Sequence, residues 1–252
     1  MENIELIKKI KKKKEFSQLP NSIVRRLAEI CDYDVKKTRA LLRKYFGVFL
    51  TNKVLKGKNP EVLTRHISSK KRDYQIFYKS IFKKLPQYKF KSIIDLGSGV
   101  NGFSYNLLSK YFPNIDYIAL EASGKIVENM NYYFIDEKYK NAKAIQTDLF
   151  NLKDLEKVVK DYKSPRLVFI FQLIDALETF QKNFSKKLFI KLKENTFTED
   201  IFVITLPLES LSGKTKFNVQ RKWLMDFLNE NFILIEDFNL FGERIIIFKN
   251  TF

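Results

Sequence analysis

The sequence predicts an α/β protein in which a mostly parallel sheet, covered by helices on both faces, ends in an antiparallel hairpin and follows a basic helical segment. Short apolar runs alternate with helical stretches from about residue 91 onward. The last two of these runs are too close for a crossover helix, and the positive charge is concentrated in the first third of the chain.

Residues 1–88 read as helices. In SIVRRLAEIC, Ile23, Leu27 and Ile30 fall on one stripe, with Asn21 or Ser22 available as a cap. Asp34 is a good N-cap for a second helix through VKKTRALLRKYFGVFL, whose Leu41, Leu42, Tyr45, Phe46 and Phe49 face inward. Gly57, Asn59 and Pro60 break the pattern; a short segment then runs to His66, and a further helix is expected from Ser68 to Leu85.

The strands follow as SIIDLG, DYIALE, AKAIQTD, RLVFIFQL, DIFVITLP, FILIEDF and ERIIIF. Only Asn239 to Gly242 separate the last two, which should therefore pair as a hairpin. Five helix-alternated strands plus such a hairpin form the architecture of class I methyltransferases. The expected division is a basic helical RNA-binding domain, 1–88, and a cofactor-binding domain, 89–252, with the boundary near Pro86 and Gln87.

Residues 1–88 hold 23 basic and 8 acidic side chains, the remainder 23 and 21, within a net charge of +17. A polyanion partner explains this asymmetry, because neutralising phosphates releases condensed counterions. Lys11, Lys12, Lys13, Lys14, Arg25, Arg26, Lys36, Lys37, Arg39, Arg43 and Lys44 are the candidates for phosphate contact, without base specificity. One cysteine, Cys31, excludes an internal disulfide, and one histidine, His66, leaves no Cys/His zinc cluster, so no metal is expected. No apolar run approaches the roughly 18 to 20 residues of a membrane span, and a cytoplasmic protein is expected.

The chemistry-bearing stretch is Ile93-Ile94-Asp95-Leu96-Gly97-Ser98-Gly99-Val100-Asn101-Gly102, a strand entering a glycine turn and then a helix. Glycine lets the backbone turn sharply and approach a ligand closely. Gly97, Gly99 and Gly102 also fit a dinucleotide fingerprint, so glycine spacing alone leaves both adenosine cofactors open. A P-loop is excluded because no Lys-Ser or Lys-Thr follows.

Three acids favour S-adenosylmethionine. Asp95, two residues before the first glycine, suits the glycine loop and the methionine part, whereas a phosphate binder gains little from a carboxylate there. Glu121 ends the second strand, where an acid accepts hydrogen bonds from ribose hydroxyls, and Asp148 ends the third, where it suits the adenine amino group. Ser98, Asn101, Ala122 and Leu149 adjoin these positions and complete the expected cofactor set.

The sequence resembles the aminoglycoside-resistance 16S rRNA (guanine-N7) methyltransferases over most of its length. Four stretches carry the likeness: RHISSKKRDYQIFY (65–78), IIDLGSGVNGF (93–103), VFIFQLIDALE (168–178) and LPLESLSGKTK (206–216). The resemblance implies S-adenosylmethionine as cofactor, S-adenosylhomocysteine as product, and 16S ribosomal RNA within the 30S subunit as partner, with a decoding-site guanine as target. It implies that His66, Ser68 and Arg72 belong to the cofactor site, Arg72 as a clamp on the cofactor carboxylate. Gln172, where close relatives carry Lys, becomes a site residue after the fourth strand, and Ser212 and Lys214 become target-loop residues. Ser69 and Lys71 stand where the family tends to have Thr and Glu. A methyltransferase acting on another RNA or on a small molecule, and a non-catalytic RNA-binding module, are the competing readings.

Overall fold

In a computed structural model of the chain, residues 2–47, 49–209 and 221–251 are described. Each predicted apolar run is a strand: β1 (Ser92–Leu96), β2 (Asp116–Glu121), β3 (Ala142–Gln146), β4 (Arg166–Phe171), β5 (Ile201–Pro207), β6 (Phe232–Leu240) and β7 (Glu243–Asn250). They form one sheet in the order β3-β2-β1-β4-β5-β7-β6. Pairings among the first five are parallel, while β7 runs antiparallel to both β5 and β6. The hairpin is tighter than the sequence predicts. β6 continues to Leu240, and Phe241 and Gly242, both with positive φ, make a two-residue turn of the handedness that matches strand twist.

Strand side chains alternate between two apolar layers, as period-2 geometry requires. On one face Ile94, Leu96, Ile118, Val168, Ile170 and Phe202 pack with α10 (Leu152–Asp161), α11 (Ile174–Phe180), α12 (Phe184–Glu194) and α13 (Lys222–Asn231). On the other, Ile93, Tyr117, Leu167 and Phe169 share a continuous core with α8 (Tyr105–Tyr111) and α9 (Gly124–Asp136). Ile10, Leu27, Leu42 and Tyr78 of the N-terminal helices belong to the same core.

Those N-terminal helices are α1 (Glu2–Lys11), α2 (Lys14–Ser17), α3 (Asn21–Ile30), α4 (Val35–Leu42), α5 (Asn52–Leu55), α6 (Val62–Arg65) and α7 (Tyr74–Phe82). The structure departs from the sequence reading at three points. Pro20, with no side-chain hydrogen bond, occupies the N-cap position of α3 instead of Asn21 or Ser22. Asp34 does cap α4, accepting from the Lys37 N–H, but the α-helix gives way at Arg43–Gly47 to a π-helical turn. Tyr45 and Phe46 from this wider turn both reach Phe180, at ring separations of 4.5 and 5.7 Å. Finally, α7 begins at Tyr74, not Ser68, because Asp73 accepts from the N–H groups of Gln75 and Ile76 and so starts the helix there. Residues 66–72 are left as successive turns, and the segment can fold back over the sheet.

At the end of the sheet opposite the glycine loop, Arg166 and Asp200 form a buried pair. The guanidinium donates from Nη2 (2.6 Å) and Nε (3.0 Å) to Asp200 Oδ2. Oδ1 accepts from the Arg166 N–H and from Ser164 Oγ. Truncating one partner strands a buried charge. Asp200→Ala is therefore expected to lower stability by about 3–5 kcal/mol, read from urea unfolding.

Candidate functional site

The strand order reverses direction on the two sides of β1, and ligands of open α/β sheets bind outside the strand ends at such a point. A cleft of about 1080 Å³, part of it open to solvent, lies there. The glycine loop forms its floor. Gly97 (φ +63°) and Gly99 (φ +53°) occupy the left-handed region, and a Cβ on Gly97 would stand 2.6 Å from Leu173 Cδ1. Ser98 also faces the cleft, and its buried Oγ has no hydrogen-bond partner.

Glu121 ties two walls together: Oε2 accepts from the Gly99 N–H (3.0 Å) and Oε1 from the Ser123 N–H (2.8 Å). Loss of hydration raises its pKa, against the lowering effect of those two N–H groups. Asp148 lines the adjoining wall with Ala122, Leu149 and Phe150, its Oδ1 accepting from the Phe150 N–H.

Asp95 lies beneath the cleft and does not line it. Its Oδ2 accepts from Tyr117 Oη (2.6 Å) and from Asn101 Nδ2 (2.7 Å), while the equally buried Oδ1 has no partner. Asn101 does line the cleft, and its Oδ1 lies 3.1 Å from the Tyr78 hydroxyl of α7. Asp95 thus holds the glycine loop through Asn101. Burial pushes its pKa up to about 6, although the Tyr117 and Asn101 hydrogen bonds favour the charged form.

The turns at 66–72 close the cleft from above. His66 is buried with Nδ1 2.9 Å from Ser68 Oγ, and burial, assisted by Arg72, lowers its pKa to about 4. It is neutral at pH 7. Arg72 is the only Arg or Lys among the described residues lining the cleft. Its Nε and Nη2 donate to the two oxygens of Glu243, at 2.6 and 2.7 Å, and Nη2 also reaches Thr205 Oγ1 (3.3 Å). Burial disfavours this charge, but the Glu243 carboxylate outweighs it and the pKa is raised. Gln172, a non-glycine residue at φ +51°, lines the same region and donates from Nε2 to the Ser68 carbonyl (3.0 Å). Ile23, Tyr45, Phe46 and Phe49 from the N-terminal segment complete the apolar wall with Phe180.

The structure therefore brings His66, Ser68, Arg72, Gly97, Ser98, Gly99, Asn101, Glu121, Ala122, Asp148, Leu149 and Gln172 to one cleft, with Asp95 directly under it. Ser212 and Lys214 lie outside the described residues. Glu243 and Thr205 were missed by sequence reasoning; the legible signal was the acid at the head of the strand ERIIIF, since a buried charge demands a partner.

The basic candidates separate into two groups. Lys12, Lys13, Lys14, Arg25, Lys36, Lys37 and Lys44 are exposed. Others are engaged within the chain: Lys11 donates to the Leu19 carbonyl and Asn21, and Arg39 to the carbonyls of Lys9 and Ile10 at the end of α1. Arg43 pairs with Glu15 (2.7 Å), and Arg26 lies 4.6 Å over the Phe150 ring. Among the described residues, no His/Cys/Asp/Glu group is arranged to hold a metal ion, and no helix is long and apolar enough to cross a membrane.

Strand order, glycine loop and cleft define the class I S-adenosylmethionine-dependent methyltransferase fold. Solved structures agree. An rRNA methylase from Escherichia coli is similar at a TM-score of 0.76 and 18% identity, covering 99% of this chain and 100% of that one. The 16S rRNA methyltransferase RmtF, in complex with S-adenosyl-L-homocysteine, gives 0.71 and 14%, covering 99% and 98%. The 16S rRNA methylase ArmA gives 0.53 and 19%, covering 84% and 97%. No family model and no curated protein matches the sequence.

The raised pKa of Asp95 has a stability consequence of definite sign. Between about pH 4 and pH 6 the folded chain holds a proton there that the unfolded chain has released, so this carboxyl contributes less stability as pH rises. Asp95→Asn should gain stability relative to the parent across that interval, by up to about 3 kcal/mol. Paired thermal unfolding scans at each pH measure the difference, and a constant gap contradicts the assignment.

Proposed function

We propose that this chain is an rRNA methyltransferase that transfers the methyl group of S-adenosylmethionine to N7 of a guanine in 16S ribosomal RNA within the 30S subunit. The carrying observation is the cleft itself. A turn with two left-handed glycines leaves β1 beside Glu121 at the end of β2, with Asp148 just beyond β3 on the far side of Glu121, in a fold aligned with rRNA methylase structures over nearly its whole length.

The residues present fit an adenosyl-sulfonium amino acid. Glu121 spends one acceptor site of each oxygen on backbone N–H groups, and a carboxylate has about four, which leaves capacity for two ribose hydroxyls. Asp148 suits the adenine amino group, and Ser98 Oγ is a buried polar atom awaiting a partner. Arg72 suits a carboxylate, held in place by Glu243 through two of its five N–H donors. Gln172 braces the 66–72 turns, which would cover the methionine part.

The bound cofactor supplies an electrophilic methyl on sulfonium sulfur. Guanine N7 has a lone pair and no proton, so the chain needs no general base, in keeping with a neutral His66 engaged by Ser68. Alignment is the main task, and proximity is worth on the order of 7–11 kcal/mol. Presenting the base from a ribosomal helix costs a few kcal/mol, which phosphate contacts from Lys12, Lys13, Lys14, Arg25, Lys36, Lys37 and Lys44 would offset. By the resemblance in sequence, the target is a decoding-site guanine, and its methylation would give aminoglycoside resistance.

Methyl-labelled cofactor incubated with 30S subunits, naked 16S rRNA or tRNA tests this reading. Label on the 30S subunit, with strand scission at one guanine after borohydride and aniline, is expected. Label on tRNA alone, or scission-resistant label, overturns it. Gly97→Ala, whose Cβ would meet Leu173 at 2.6 Å, should lower S-adenosylhomocysteine affinity at least about tenfold by calorimetry, about 1.4 kcal/mol.

A further inference from the structure

Gln18, between α2 and α3, makes a set of contacts that its place in the sequence does not suggest. Its side-chain Oε1 accepts from Ser123 Oγ (2.6 Å) and from the Lys125 N–H (3.2 Å). Its main-chain carbonyl accepts from the Gly124 N–H (3.1 Å) and from Gln146 Nε2 (2.8 Å). Gln146 Nε2 also donates to the carbonyl of Ala122, a cleft residue (2.9 Å).

Three of these partners, Ser123, Gly124 and Lys125, are the start of α9. A helix leaves its first N–H groups without intrahelical acceptors. Here Ser123, the N-cap, takes the Ile126 N–H through its own Oγ, and Gln18 takes those of Gly124 and Lys125. The cap is therefore finished by a residue 105 positions upstream. The fit is close: a Cβ on Gly124 would stand 3.2 Å from the Gln18 carbonyl oxygen and 3.1 Å from Gln146 Nε2.

The same turn carries Glu121, whose Oε1 accepts from the Ser123 N–H and whose Oε2 accepts from the Gly99 N–H. Resting on the functional reading above, we propose that Gln18 is a positioning residue for the cofactor ribose. It fixes the Ser123 turn, and through it the Glu121 carboxylate, from the N-terminal helices. Because Gln18 also leads into α3, whose Ile23 lines the cleft, one contact sets both the acidic and the apolar wall.

Calorimetry with S-adenosylhomocysteine on the full chain tests this, with thermal unfolding monitoring the fold. Gln18→Ala should weaken binding about tenfold. Gln18→Glu, which keeps the acceptor oxygen at a helix N-terminus, should restore it to within about twofold. If Gln18 acts through Glu121, Gln18→Ala should cost little further affinity in a Glu121→Gln background, whereas independent effects would multiply. Unchanged binding by Gln18→Ala, or losses that multiply with Glu121→Gln, overturn the inference alone. Absence of binding by the parent chain overturns the functional reading and the inference with it.

Discussion

A single carboxylate shared between two turns organises the molecule's working end. Glu121 receives the Gly99 N–H from one strand exit and the Ser123 N–H from the next, so the glycine loop and the start of α9 cannot move independently. Partly burying that acid disfavours its charge, and the backbone donors offset this. Asp95 applies the same logic one layer deeper, where Tyr117 and Asn101 hydrogen-bond a carboxylate with no exposed surface.

The N-terminal helices are part of this arrangement. Tyr78 of α7 reaches Asn101, Gln18 finishes the cap of α9, and Ile23, Tyr45, Phe46 and Phe49 form the apolar wall. A continuous core joins Ile10 and Leu27 to Phe103, Tyr117 and Phe169, so the basic segment is packed onto the face of the sheet. Charge that would orient a polyanion and the groups that would hold a cofactor are thus borne on one packed body.

Among the described residues, one guanidinium and two acids bring formal charge to the cleft lining. Arg72 lines the cleft with Glu121 and Asp148, and its own counter-ion, Glu243, comes from the opening of β7. His66, starved of water and near that guanidinium, stays neutral and serves as a packed hydrogen-bonding ring beside the glycine loop.

Local patterns in the chain fixed every strand, the terminal hairpin, the glycine loop and the acids Glu121 and Asp148, because period-2 burial and strand-end chemistry are properties of neighbouring residues. They did not place α7, whose start depends on Asp73 winning the first-turn N–H groups, nor the π turn that brings Tyr45 and Phe46 to Phe180. Asp95 was legible as important, but its position below the cleft was not. Arg72–Glu243, 171 residues apart, and Gln18–Ser123, 105 apart, were decided only by the tertiary structure. Sequence spacing carries no information on such pairs; they exist because burying a charge or a helix end requires whichever partner the packing of distant segments supplies.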